Sequence, residues 1–349
     1  MTTQYLTTGG ADMKGAKAMD LSRVIWCADT HTECDPTRLV ISGIPPLPHV
    51  GMKEKRDYFA THHDDLRRFL MHEPRGHQDM FGAVITDSVR DDCDFGLIFI
   101  DTDGYLDFCG HGVMAATTVM LELMGLTPID SQGIVSVETP AGVIKARAIR
   151  EGALSIAVEG VPSFMVERGF VVPTSVGTVP VDIAFAGNFF GFVDASDLHI
   201  DVSYGNMRQL VTLAMEIKHQ LNHRKWTHPE SGESCKVELV EILDEPVHPE
   251  ARTKTLVVFG DGQVARDPCA SGTCATLAVE TARGNLQVGE EYVCEGIVGS
   301  IYRASVLRTC RVGSSQAIVP EIRGRTFITG MSQFVLCKDD PLPSGWLLR

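Results

Sequence analysis

Cys109, in Phe108-Cys109-Gly110-His111-Gly112, and Cys269, in Asp267-Pro268-Cys269-Ala270-Ser271-Gly272-Thr273, each stand where a loop passes into a helix. A helix N-terminus presents unpaired N–H groups and the positive end of the macrodipole. A cysteine there has its thiolate favoured, and a carboxylate can be gripped beside it. Two such ends facing one another would hold an amino-acid carboxylate between two thiols. Inverting an α-carbon means taking a proton from one face and supplying one to the other, which a single stationary base cannot do. A thiolate and a thiol on opposite sides can, and their roles exchange with the handedness of the substrate. A helix end is worth up to about 2 kcal/mol, or about 1.5 pKa units, enough to ionise one of the pair near neutrality. Repulsion then keeps the second protonated. The N–H groups of Gly110, His111, Ala270 and Ser271 are expected to bind the carboxylate and steady the charge that spreads onto it. His111 is expected to face the amine as well.

Both cysteines lead the same sequence of elements. Each has glycine three residues later, then a run of helix formers without proline, then a stop glycine, Gly125 or Gly284. The run Phe95–Ile100 reads as a strand entering the first motif. A hairpin follows each helix, Ile134–Thr139 with Val143–Ala148 and Tyr292–Glu295 with Ser300–Val306. The recurrence points to an internal duplication. Arg23–Ala28 and Arg38–Ile41 read as a strand pair around a polar turn, Asp29 to Pro36. In that turn His31, Glu33 and Asp35 could suggest a metal or acid/base cluster, but in a turn of mixed polar residues they are read as solvated or turn-capping groups. Met52 to Met71 reads as one helix and Met207 to Leu221 as another. Val181–Phe185, the kink Ala186–Asn188 and Phe189–Val193 read as strand, kink, strand, and Lys236–Leu243 and Leu256–Phe259 as strands. Arg75 and His77, in the loop after the first helix, fit either substrate contact or a loop locked by an ion pair.

The chain has 349 residues, 31 Lys and Arg against 45 Asp and Glu, and a formal net charge of −14. That balance argues against a nucleic-acid groove or an anionic-membrane surface. No apolar stretch is long enough to span a bilayer, and the polar start lacks a signal-peptide core, so a cytoplasmic address is expected. The ten cysteines form no Cys-x-x-Cys knuckle, and Cys27, Cys93, Cys235, Cys294, Cys310 and Cys337 are read as buried, inert thiols. Residues 1–20 read as a loose tail.

The two cysteine stretches, with Glu73-Pro74-Arg75-Gly76-His77 and Ala186-Gly187-Asn188-Phe189-Phe190 at fitting intervals, closely resemble the proline racemase family, which includes hydroxyproline 2-epimerases and trans-3-hydroxyproline dehydratases. The resemblance implies an α/β (α+β) fold like that of diaminopimelate epimerase: two pseudo-symmetric subdomains, each a curled sheet around a central helix, with the site in the cleft between them. The division expected is residues 21–184 plus 333–349 for the Cys109 half and 185–332 for the Cys269 half. The resemblance also implies no pyridoxal phosphate or other cofactor, no metal, a homodimer, a small imino-acid substrate, and Cys109 and Cys269 as the catalytic bases.

Family dehydratases carry threonine at the position of Cys269, so cysteine at both places points to inversion. Phe81, Phe99 and Phe259 fall where proline racemases surround the ring with phenylalanines, which favours a bare ring over a hydroxylated one. The family usually reads Asp-Arg-Ser-Pro-Cys before the second base. Here Ala265 stands at the aspartate and the carboxylate is two positions closer, at Asp267. Either Asp267 substitutes from there or the amine is held differently. Cys34 and Cys274 replace residues that are more often glycine and serine or valine. The alternatives to a proline racemase are a 4-hydroxyproline 2-epimerase, a dehydratase using Cys109 alone, and a binding protein without turnover.

Overall fold

The structure, a computed structural model, describes residues 20–348. The tail expected over 1–20 lies outside them apart from Asp20, whose carbonyl accepts the Lys338 N–H. β1 (Leu21–Thr32) and β2 (Asp35–Ser42) form an antiparallel hairpin. The eight-residue polar turn expected here shrinks to Glu33 and Cys34, both at positive φ (41° and 78°). Two-residue hairpin turns with this backbone normally carry Asn or Gly, which is why the residues disguise it. The single helix expected over Met52 to Met71 is two, α1 (Met52–His62) and α2 (Asp64–Met71). His63 leaves the helical region (φ −137°), and Asp64 opens the second helix by accepting from Arg67 Nε at 2.6 Å. The break lets Phe59 and Leu66, Phe69 and Leu70 pack on one core with Ile25, Val84 and Ile98.

The first cysteine unit continues with β3 (Phe81–Thr86), β4 (Phe95–Asp101), β5 (Tyr105–Leu106), α3 (Gly110–Glu122), β6 (Ile134–Thr139), β7 (Gly142–Glu151) and β8 (Ala153–Glu159). Next come β9 (Phe164–Thr174), β10 (Gly177–Phe185), β11 (Phe189–Asp194), α4 (Met207–Leu221) and a small ladder of β12 (Trp226–Thr227) and β13 (Ser234–Cys235). The second unit is β14 (Val237–Asp244), β15 (Thr253–Phe259), β16 (Gln263–Val264), α5 (Ala270–Arg283), β17 (Glu291–Gly296), β18 (Ile301–Val312) and β19 (Ser315–Gly324), and β20 (Thr326–Cys337) closes the chain.

The pairing of the two units matches strand for strand. β2 runs parallel to β3, β3 antiparallel to β4, β4 antiparallel to β5 and parallel to β6, and β6, β7 and β8 follow antiparallel. The series β11, β14, β15, β16, β17, β18, β19 repeats those relations in the same order and sense. The repeats join where β8 pairs antiparallel with β19, and β20 returns to pair with β1. Among the described residues this makes one 18-stranded curled sheet.

Each repeat wraps its sheet around one helix. α3 and α5, built mostly of small and apolar residues, are buried from their first residue to Val119 and Val279 almost without interruption. Both contribute to one hydrophobic cluster, Val113, Ala116 and Val119 with Ala275, Ala278 and Val279. α4 instead buries a stripe of Leu210, Leu213, Ala214, Ile217 and Leu221 against the outer sheet face. The stop at Gly284 is left-handed (φ 82°), and Asn285 N–H closes onto Glu280 O, a C-terminal cap that suits glycine. Of the six cysteines read as buried, Cys27, Cys93 and Cys294 are; Cys235, Cys310 and Cys337 are only partly covered, lying towards strand ends where the alternation relaxes. Among the described residues no helix is long and apolar enough to cross a membrane.

Candidate active site

α3 and α5 meet tip to tip. A β-carbon added to Gly110 would lie 2.6 Å from that of Ala270, so glycine at this position is a condition of the approach. Cys109 and Cys269 are the N-cap residues of the two helices. Their backbones differ: Cys109 is extended (φ −148°), whereas Cys269 is at φ 60°, ψ 114°, a strained conformation for a residue with a β-carbon. The turn holds because Asp267 Oδ1 accepts the Cys269 N–H at 2.8 Å, Thr255 Oγ1 donates to Pro268 O at 3.3 Å, and Gly296 lets the loop lie on the sheet. The Cys269 sulfur accepts the Gly272 N–H at 3.4 Å and lies 3.6 Å from Ser271 Oγ. The Cys109 sulfur lies 3.2 Å from His111 Nδ1.

A group of polar side chains bridges the tips. His111 Nδ1 is 3.7 Å from Asp35 Oδ2 and 3.9 Å from Asp267 Oδ2, and a ring nitrogen and one oxygen of each carboxyl lie within 4.8 Å of one another. Asp267 is 1% exposed, with Oδ2 receiving the Tyr302 hydroxyl at 2.5 Å. Asp35 Oδ1 accepts the Arg266 N–H at 3.2 Å. Ala265, where the family resemblance leads one to expect the aspartate, is buried in the main cluster and ties its N–H to Val257 O. The displaced carboxylate of Asp267 nevertheless reaches the tips. Asp35, read as a turn-capping group, does too: with the turn only two residues long, it belongs to the strand, and its side chain is turned into the fold.

Burial governs the electrostatics. It pushes the Cys109 thiol well above its ordinary value, with the charges of Asp267, Cys269 and Asp35 acting in the same direction and the Gly112 N–H opposing them. Cys269 is raised by burial, then by Asp267 and Glu241, against weaker help from Ser271 and Gly272. Desolvation therefore works against the helix ends, whose first-turn N–H groups pull the thiols the other way. Burial raises Asp35, against the pull of His111 and Arg266; burial also raises Asp267, with Asp35 acting in the same direction and Tyr302 and the Cys269 N–H opposing; and burial lowers His111. A cation placed beside these carboxyls would favour their ionised forms.

Phe81 and Phe99 stack at 6.3 Å with their ring edges about 3 Å from where a Gly112 β-carbon would sit, and Phe81 meets His111 edge-on at 4.5 Å. Phe259 packs on the same cluster at the end of β15, but among the described residues it makes no ring contact with the other two. Phe108 lies over Gly110 and over Gly187 of the kink. Arg75 pairs with Asp340 at 2.8 Å and lies over Phe69, which makes its loop a locked one, and the exposed His77 accepts the Asp79 N–H. The sequence reading set Asp35 down as a turn-capping group and passed over Tyr302 and Glu241. For Asp35 the alternation of β1 and β2 was the available signal; for the other two, each among several polar residues of a strand, there was none.

The sequence profile described as proline racemase matches residues 27–347. A proline racemase of Clostridioides difficile is 40% identical over 335 residues, 95% of this chain and 100% of that protein. The chain belongs to the proline racemase family. The proline racemases and hydroxyproline epimerases of the family are isomerases, and so is this enzyme. The crystal structure of a hydroxyproline epimerase from Agrobacterium vitis, with bound trans-4-hydroxy-L-proline, superposes with a TM-score of 0.84 at 30% identity, covering 95% of this chain and 97% of that one. A PhzF-family phenazine biosynthesis protein of Bacillus anthracis shares the fold at 11% identity, with a TM-score of 0.60 over 90% of this chain and 100% of that one. The two-repeat architecture of diaminopimelate-epimerase type expected from the sequence is the one found.

Proposed function

We propose that the protein is a cofactor-independent racemase that inverts the α-carbon of proline or a close ring analogue, with Cys109 and Cys269 as the two groups that exchange its proton. The observation that carries this reading is the abutment of the two helix tips, which brings two N-cap thiols and two sets of unpaired N–H groups to one small space. The first-turn N–H groups of Gly110, His111, Ala270 and Ser271 receive the substrate carboxylate. Asp267 and Asp35, with His111 between them, receive the ring ammonium.

The ammonium also solves the problem that burial poses, since a cation beside a buried thiol favours its thiolate. The thiolate takes the α-hydrogen as a proton, negative charge spreads into the carboxylate held by the helix ends, and the opposite thiol delivers its proton to the other face. The product is the mirror image, and the two sulfurs have exchanged protonation states. Phe81 and Phe99, stacked beside His111, supply an apolar wall suited to a bare ring. Burying a hydroxyl against them without a partner costs about 1–3 kcal/mol.

A second reading, a 4-hydroxyproline 2-epimerase, is favoured by the solved relative that holds trans-4-hydroxy-L-proline. Polarimetry and α-deuteron incorporation in heavy water, run on proline and the hydroxyprolines, decide between them. Higher kcat/KM for proline supports the first reading and higher kcat/KM for a hydroxylated ring the second. No exchange with any of them would remove both.

A further inference from the structure

The polar group at the helix tips has the geometry of a chelate. His111 Nδ1 is its common vertex: the Cys109 sulfur lies 3.2 Å away, Asp35 Oδ2 3.7 Å and Asp267 Oδ2 3.9 Å. A tetrahedral zinc ion, with bonds of about 2.0 Å to nitrogen or oxygen and about 2.3 Å to sulfur, sets its ligand atoms about 3.3 to 3.6 Å apart, so small side-chain shifts seat one among these four atoms. The carboxyls are already oriented from behind, as metal ligands are: Asp267 Oδ1 accepts the Cys269 N–H and Oδ2 the Tyr302 hydroxyl, while Asp35 Oδ1 accepts the Arg266 N–H. Asp35 Oδ2 is different. Its side chain is nine-tenths buried, yet among the described residues this oxygen receives no hydrogen bond and meets only His111 Nδ1. A buried carboxylate oxygen without a donor, aimed at an imidazole nitrogen, points to a cation between them. The guanidinium of Arg266 is committed elsewhere, to Asp79 at 2.7 Å and Val264 O at 2.8 Å.

We propose that Cys109, His111, Asp35 and Asp267 form a site for a divalent cation of zinc type, and that a cation bound there inhibits the enzyme. A set of one thiolate, one imidazole and two carboxylates selects such a metal over calcium or magnesium, which prefer shells of oxygen alone. On binding, the Cys109 thiol and any protonated carboxyl release their protons to solvent, and the imidazole binds in its neutral form. The ion takes the place given above to the substrate ammonium and claims as a ligand one of the two sulfurs that exchange the proton, so it competes with the imino acid. It takes no part in the reaction. The inhibition rests on the two-thiol reading given above; the binding does not.

The test is titration of the full-length protein with cobalt(II), which adopts the coordination of zinc and absorbs in the near ultraviolet when a thiolate is among its ligands. His219 and His223 on α4, with Nε2 atoms 3.1 Å apart, are a second, exposed chelate for either metal, so the parent protein carries His223→Gln throughout. The parent is expected to bind one cobalt per chain with thiolate absorption that zinc abolishes by displacement. Cys109→Ser is expected to lose that absorption, and Cys34→Ser, which removes an exposed thiol of the neighbouring hairpin, to keep it. Asp35→Asn is expected to weaken zinc binding by at least about tenfold in equilibrium dialysis. A parent protein without thiolate absorption overturns the proposal, a result that needs no variant of the site to fold. Absorption that survives Cys109→Ser, or zinc binding that ignores Asp35→Asn, marks the ion as adventitious and overturns it too. None of these readouts uses turnover, so they separate failure of this proposal from failure of the racemase reading. With an active preparation, zinc is expected to raise KM for the imino acid while kcat stays constant, and an effect on kcat alone overturns the competition.

Discussion

Gly110 and Ala270 close the gap between the two halves of the site: the α-carbon of one faces the methyl of the other at a distance that leaves no room for a second methyl. Gly110→Ala is therefore expected to push the helix tips apart. Overpacking of this kind costs about 1–3 kcal/mol in stability. Catalysis should suffer more, by about 100-fold or greater in kcat/KM, because about 1 Å of displacement spoils proton transfer on both faces. Polarimetry beside thermal unfolding checks this, and a variant as active as wild type would contradict the tight approach.

If Cys109 and Cys269 are the proton-exchanging pair, Cys109→Ser and Cys269→Ser should each lower racemisation by at least about 1,000-fold in both directions, because serine is not ionised in this range. Circular dichroism should remain that of the folded protein. Interconversion of both enantiomers by either variant at near wild-type rate would remove the two-thiol mechanism.

Tyr302→Phe deletes the hydroxyl that donates to Asp267 Oδ2. A buried carboxyl that loses one of its two fixed donors is expected to cost about 1–3 kcal/mol of stability. Substrate KM should rise while kcat changes less, since Asp267 is proposed to bind the amine and not to transfer the proton. Chemical denaturation and initial-rate kinetics separate the two effects, and a fall confined to kcat would place Asp267 in the proton path instead.

Glu241 gives stability a pH dependence of definite sign. Its ordinary value is 4.5, and the folded protein raises it to about 8, because burial disfavours the charge. Between those values the native form retains a proton that the unfolded chain releases, so the contribution of this group to stability falls as pH rises through that window. Glu241→Gln should remove that component. Urea unfolding at pH 5 and pH 8 should show the variant losing less stability than wild type over the interval, and parallel losses would mean that Glu241 is ionised throughout.

Much of this was readable before any coordinates. The helix starts at Cys109 and Cys269, the stop at Gly284, the hairpins behind both helices and the span of α4 announce themselves through local signals: caps, glycines and apolar period. Asp35 was hidden because its turn uses Glu33 and Cys34 where glycine or asparagine would have marked it. The break at His63 was hidden because the apolar spacing runs through it unbroken, and only the ion pair between Asp64 and Arg67 restarts the helix. Glu241 was hidden for a different reason. β14 carries three acids, Glu238, Glu241 and Asp244, which all read as solvent-facing, and of these only Glu241 is turned inward.

The ladder between β8 and β19, which pairs Ile156 through Glu159 with Gly324 back through Glu321, is a main-chain seam running directly from one repeat to the other. Such a seam resists stretching and sliding far more than it resists bending, as the spine of a book does. On the proposed mechanism, a cleft that widened to admit a ring would turn most easily about that line, altering the span between the sulfurs while leaving the amide groups at each helix tip in their own array. Carboxylate capture and alignment of the two thiols would then be coupled.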